Sequence, residues 1–303
     1  VRRAIAPFGE PSGDYLKRVV EHAAGNPGVA EAMVRISAHA GAFRKSDGEA
    51  LDDANFVRRP EFAGLKSLAR GVLPAMPANV RADLQTVAVV GRRFGTELLA
   101  KVWSAPPAAA VARLEAIRHT GLVFAEGDGW AFVSEELAAH YAATLPDDVR
   151  SALHLRVAKV LRAGAREKAA EHGPLRTHLD VTETWSETQR RDRRVREEQD
   201  MLWAAARHFA DAAHHAEAAE AAVAFLEQMF ETSGGHPYLA GRFGRRADRE
   251  RRHRIYAVLT EAEGQLRLAR TAKGQAPPAQ LVTVKVRLLN VHARFKEVMG
   301  DFA

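Results

Sequence analysis

Apolar residues recur every three to four positions along most of the chain, which is the spacing of helices that bury one face. In residues 14–24 this pattern sets Tyr15, Leu16, Val19, Val20 and Ala23 on one stripe. Ser12 is a candidate N-cap, with Gly13 and Asp14 as alternatives. Gly25-Asn26-Pro27 ends the pattern because glycine adopts the left-handed C-cap and proline blocks a further turn. Residues 29–40 predict a second helix. The chain therefore starts with a predicted helix pair.

The pattern between residues 44 and 133 is more varied. Residues 44–58 are polar and rich in glycine and aspartate, which predicts a loop. Two apolar runs, 122–126 and 130–133, flank Gly127-Asp128-Gly129 and predict a β-hairpin. Four helices are predicted before it, at 61–76, 79–90, 96–103 and 107–120, with a turn at 91–95. Three short helices followed by a hairpin are the order of a winged helix.

The rest of the chain predicts helices alone. They fall at about 135–144, 147–162, 187–212, 214–231, 247–272 and 278–299, with a loop at 164–184. Ala218, Ala219, Ala221 and Ala222 would let two helices approach closely, as in tetratricopeptide-like hairpins that repeat about every 34 residues. The predicted fold class is all-α with one small β-hairpin: a helical lid, a winged helix and a helical-repeat tail.

Composition narrows the protein class. The chain has 303 residues, of which 47% are hydrophobic and 27% charged, which excludes disordered and collagen-like chains. No apolar run approaches the roughly 20 residues that span a bilayer, and no signal peptide is apparent, so we expect a cytoplasmic protein without membrane contact. Cysteine is absent, which excludes disulfides and thiolate ligands. The net charge of +6 permits an acidic partner without requiring one.

Catalytic motifs are absent from the sequence. It contains no GxxxxGK[ST] phosphate-binding loop, no HExxH and no GxSxG, so no catalytic residue is predicted in this chain. His208, His214 and His215 cluster, but adjacent histidines point to different sides of a helix. They are interpreted as surface histidines, and no metal site is predicted.

Nucleic-acid binding is a further hypothesis. Arginines are dense in residues 190–196 and 242–254, but interleaved acidic residues favour solvated helices with internal ion pairs. The third helix of the winged-helix segment offers Arg113 and Arg118 to DNA, yet it lacks the Asn or Gln that reads adenine. Packing within a larger protein is favoured for this helix.

Several motifs occur in a family-like order. Ile5-Ala6-Pro7-Phe8, the helix after it and Gly25-Asn26-Pro27 resemble the lid of STAND-class AAA+ signalling ATPases. Later segments resemble the winged helix of that class and the start of its helical tail. Together with the lid, the resemblance covers about residues 1–165. These segments are Leu84–Phe94, Leu114-Glu115-Ala116-Ile117, Thr120-Gly121-Leu122-Val123, Ala142–Pro146 and His154-Leu155-Arg156-Val157-Ala158.

The resemblance implies site residues. In that family the lid proline packs near the adenine, which implies nucleotide contacts at Gly25, Asn26 and Pro27, with Pro27 the closest. A histidine usually follows the second wing strand and senses the bound phosphates, but Ser134 stands there in this chain. Serine lacks the charge and reach of an imidazole.

The resemblance also implies a domain order and a function. It implies an AAA+ lid-like segment at 1–45, a winged-helix domain with following helices at 60–165, and tetratricopeptide-like repeats at 187–303. A P-loop domain would precede Val1, so ATP or ADP would be a cofactor of the longer protein and this chain would be a fragment of an ATPase. We expect a regulatory region that senses a protein partner through its repeats and that can also self-associate. A winged-helix DNA-binding transcription regulator and a non-catalytic helical scaffold stay open as alternatives, and Ser134 favours the scaffold.

Overall fold

The structure is a computed structural model that describes residues 12–24, 27–39, 45–46, 50–51, 76–172, 185–231, 245–272 and 278–299. Within these ranges the chain is mostly helical, with 11 helices and a small three-stranded antiparallel sheet. The predicted helix-rich class is thereby confirmed. The chain divides into two compact units, Val1–Arg150 and Ser151–Ala303.

The first unit contains six helices and five short strands within the described residues. The helices are α1 (Gly13–Ala23), α2 (Pro27–His39), α3 (Ala78–Val90), α4 (Thr96–Trp103), α5 (Pro107–Arg118) and α6 (Glu135–Ala143). The strands are β1 (Lys45–Ser46), β2 (Ala50–Leu51), β3 (Arg93–Phe94), β4 (Val123–Glu126) and β5 (Gly129–Phe132). Strands β1 and β2 pair within the segment that was predicted as a loop. Of the helix predicted at 61–76, all residues except Met76 lie outside the described ones.

Helix α1 has the caps that its sequence predicts, with one shift. The Ser12 hydroxyl accepts a hydrogen bond from the Tyr15 N–H at 3.2 Å, which confirms Ser12 as the N-cap. The left-handed C-cap is Ala24 (φ 44°), one position before the glycine at which it was predicted. The Ala24 N–H donates to the carbonyls of Val20 and Glu21, so these two carbonyls in the last turn of the helix have hydrogen-bond partners.

The small sheet has the strand order β3-β5-β4, so the predicted hairpin gains a third strand. The prediction of a turn through residues 91–95 was wrong for Arg93 and Phe94, which pair with β5, Phe94 standing opposite Trp130. Gly129 permits this close pairing, because a Cβ there would lie 3.0 Å from the Phe94 carbonyl oxygen. The Trp130 ring N–H also donates to the Thr96 hydroxyl at 3.2 Å, which ties β5 to the start of α4.

One cluster of buried apolar side chains runs through the first unit. Phe132 belongs to it and is fully buried, and its ring centre lies 6.4 Å from the ring centres of Phe94 and Tyr141. The same cluster includes Tyr15 from α1 and Met33 from α2. The helix pair and the sheet-containing segment therefore share a hydrophobic core.

The second unit contains helices and no strand within its described residues. Its helices are α7 (Asp147–His172, which begins before the unit boundary), α8 (Trp185–Asp211), α9 (His215–Glu231), α10 (Arg245–Thr271) and α11 (Pro278–Met299). Helix α9 is the centre of the unit and packs on α8, α10 and α11. The predicted small residues of α9 are buried, which allows this close packing: Ala218, Ala219, Ala221 and Ala222.

Helix α7 corrects a predicted boundary. Its sequence predicts an end at residue 162 and a loop from 164, but the helix continues through Gly164 to His172. The side chain of Met201 in α8 lies 3.6 Å from the place where a Gly164 Cβ would stand. Packing against a neighbouring helix thus compensates for the weak intrinsic helix preference of glycine.

Candidate functional site

The predicted lid turn is described only in part. Gly25 and Asn26 lie outside the described residues, and Pro27 is the first residue of α2. Proline suits the first turn of a helix because its missing N–H would have no partner within the helix there.

Ser134, at the predicted sensor position, caps α6. Its hydroxyl accepts a hydrogen bond from the Leu137 N–H at 3.1 Å, and its backbone is extended, as an N-cap requires. Glu135 and Glu136 follow in the first turn, where negative charge interacts favourably with the helix dipole. The role that the structure gives this side chain is to stabilise the start of a helix.

Replacing Ser134 separates a capping role from a sensing role. We expect Ser134→Ala to lower the free energy of unfolding by about 0.5–2 kcal/mol, because the Leu137 N–H loses its partner. Ser134→Asp is expected to retain most of the stability, since aspartate is an equally good N-cap. Urea denaturation of the three proteins measures both effects, and equal stability of Ser134→Ala and the wild type would contradict the capping role.

Arg113, the first DNA-contact candidate, is engaged by its own unit. Its guanidinium lies 3.4 Å from the Asp83 carboxylate and 5.3 Å from the centre of the Trp103 ring. Burial raises the pKa of the Asp83 carboxyl above its ordinary value, and the nearby Arg113 charge opposes this rise. Arg113 therefore links α5 to α3 and α4.

The second candidate, Arg118, pairs with Glu115 one turn earlier on α5 at 3.2 Å. The hairpin beside it carries Glu126 and Asp128 at its tip. The Arg93 guanidinium lies 2.7 Å from the Glu126 carboxylate. Acidic residues at the tip of this hairpin would repel the phosphates of a DNA duplex that approached it.

Two arginines of the arginine-rich stretches form ion pairs within the described residues. Arg193 contacts Glu197 at 3.2 Å, four residues along α8, which agrees with the predicted ion pairs within one helix. Arg254 contacts Asp200 at 3.2 Å, and its guanidinium lies 5.2 Å from the centre of the Phe225 ring. Arg193 therefore stabilises its own helix, whereas Arg254 connects α10 to α8 and α9.

The structure separates the three histidines that the sequence grouped. His215 Nδ1 lies 2.7 Å from the Gln265 amide oxygen, and His214 Nδ1 lies 3.6 Å from the Glu217 carboxylate. His208 instead faces His154 of α7, their Nδ1 atoms 2.8 Å apart. Asp211 completes this cluster, with Oδ2 3.7 Å from His154 Nδ1.

Sequence reasoning missed this cluster of imidazoles and a carboxylate. His154 and His208 are 54 positions apart and lie on different helices. The one local signal is the spacing of His208 and Asp211, which sets both on the same helix face.

No helix within the described residues is long and apolar enough to cross a membrane. Comparisons of the chain with protein-family models, with curated proteins and with solved structures give no match.

Proposed function

We propose that this chain is the regulatory and partner-sensing region of a STAND-type signalling ATPase. In this proposal α1 and α2 form a lid, residues 78–133 form a winged helix, and the second unit forms a tetratricopeptide-like array. The winged-helix assignment is supported by the order α3, β3, α4, α5, β4, β5 and by the strand order β3-β5-β4.

The continuous core of the first unit carries the proposal. Tyr15 and Met33 of the helix pair belong to the same buried cluster as Phe132 of the sheet. Close-packed cores do not deform continuously, so elements that share one move together. A nucleotide change sensed at the lid would thereby displace the winged helix as well.

Partner sensing is assigned to the second unit. Stacked helix pairs form extended surfaces that suit protein partners. Helix α11 exposes Val282, Val286 and Leu289, which lie on one helix face and are 51–61% exposed. Exposed apolar side chains grouped in this way favour a protein partner over a nucleic acid.

A non-catalytic scaffold is the second candidate, because Ser134 replaces the family's sensor histidine and acts as a helix cap. A DNA-binding regulator is less favoured, since both candidate arginines pair with carboxylates and the hairpin tip is acidic.

Nucleotide affinity tests the switch. The proposal requires a reading frame upstream of Val1 that encodes a P-loop and a longer protein that binds ADP. In that protein we expect Pro27→Ala to weaken ADP binding several-fold, because the family's lid proline lies near the adenine. Isothermal titration calorimetry measures the affinity.

The matched control is Pro107→Ala, because Pro107 also begins a helix but lies outside the lid. It is expected to leave ADP affinity unchanged. A longer protein without a P-loop or without ADP binding would leave the scaffold as the better account. Equal affinities for Pro27→Ala and the wild type would contradict the lid assignment.

A further inference from the structure

Helices α7 and α8 run antiparallel and bring three potential metal ligands together. Their contacts run in opposite directions along the two helices: the Ser151 hydroxyl donates to the Ala212 carbonyl at 3.3 Å, and His154 faces His208. His208 and Asp211 are three residues apart, so both project from the α8 face that meets His154. One ligand atom from each of the three residues lies within 4.8 Å of the others.

We propose that His154, His208 and Asp211 bind a divalent transition-metal ion, for which Zn²⁺ is the probe. Two imidazoles and a carboxylate are a donor set that Zn²⁺ accepts in proteins, with water as the fourth ligand. Paired ligands three residues apart on one helix, completed by a neighbouring helix, are how helical bundles build such sites.

The distances fit an ion after a small side-chain adjustment. Nitrogen ligands at about 2.0–2.1 Å from a tetrahedral Zn²⁺ stand about 3.3 Å apart. The two Nδ1 atoms are 2.8 Å apart, so they need to separate by only about 0.5 Å. Without an ion, one protonated and one unprotonated Nδ1 form a hydrogen bond at this distance. A bound ion would replace that proton and use the lone pairs of both nitrogens.

Burial in the cluster suits both binding and entry. The His154 side chain is 14% exposed, so its ring is held by packing and loses little freedom when a metal binds. The Asp211 side chain is 58% exposed, which gives an ion access from solvent. The bound ion would join α7 to α8 and stabilise the second unit, because it binds the folded state. This inference is independent of the proposed nucleotide switch.

Metal titration of the chain, purified without a polyhistidine tag and treated with chelator, tests the site. We expect one Zn²⁺ per chain and a higher melting temperature with Zn²⁺. Loss of a residue that only orients a ligand costs about 10–100-fold in metal affinity. His154→Gln or His208→Gln, which removes a ligand itself, should therefore weaken binding at least about tenfold.

The matched control is His214→Gln. His214 is a histidine of the same region that lies near the Glu217 carboxylate and does not belong to the cluster. It should leave the affinity unchanged. If a histidine variant fails to fold, Asp211→Asn at its exposed position still tests the site, and it should alter the visible absorption bands of bound Co²⁺. Absence of stoichiometric binding, or an equal loss in His214→Gln, would overturn the proposal.

Discussion

Replacing Phe132 with alanine is expected to lower the free energy of unfolding of the first unit by about 3–5 kcal/mol. The side chain is fully buried and contacts the rings of Phe94 and Tyr141, so its loss leaves a cavity that two aromatic neighbours border. Urea unfolding followed by pulsed hydrogen exchange of peptides from residues 76–143 measures the change.

The same experiment tests the continuity of the core. Tyr15 and Met33 belong to the cluster that contains Phe132, so peptides from α1 and α2 should lose stability together with those from 76–143. Val111→Ala is the control, because Val111 is 43% exposed and its truncation should change stability by less than about 0.5 kcal/mol. Unchanged protection of α1 and α2 in Phe132→Ala would contradict a shared core.

Replacing Phe225 with alanine should destabilise the second unit by a similar amount, about 3–5 kcal/mol. Phe225 is fully buried on α9, its ring centre 5.9 Å from that of Trp203, and the Arg254 guanidinium stacks on it. The substitution therefore removes contacts to both α8 and α10. Hydrogen exchange of peptides from residues 193–231 and 253–271 during urea unfolding measures the loss.

Leu289→Ala is the matched control for this substitution, because Leu289 is 57% exposed on α11. We expect it to change the free energy of unfolding by less than about 0.5 kcal/mol. If the two substitutions have equal effects, the arrangement of helices around α9 is wrong.

Local sequence signals predicted the elements that depend on local chemistry. Helix α1 begins at its predicted cap because the Ser12 hydroxyl and the Tyr15 N–H are three residues apart. The hairpin β4–β5 forms where a glycine-rich turn separates two apolar runs, and Gly127 has the left-handed conformation (φ 59°) that the turn needs.

Features that depend on distant residues were missed. Strand β3 exists because Phe94 pairs with Trp130, 36 positions later, and its two residues between Gly91 and Gly95 carry no strand pattern of their own. Helix α7 passes Gly164 because Met201 packs against it. His208 contacts His154 because α7 packs on α8. The sequence pattern does not determine which helices pack together, so it did not predict this contact.

The central proposal is that the helix pair α1–α2 and the proposed winged helix, residues 78–133, respond to nucleotide as one body. Hydrogen exchange of the longer, P-loop-containing protein that this proposal requires tests it most directly, with ADP and with a non-hydrolysable ATP analogue. The account predicts that peptides from α1–α2 and from residues 76–143 exchange slowly when ADP is bound. When the ATP analogue replaces ADP, the exchange rates of both sets of peptides should rise together. A nucleotide response in α1–α2 while residues 76–143 stay unchanged, or no response in either, would contradict it.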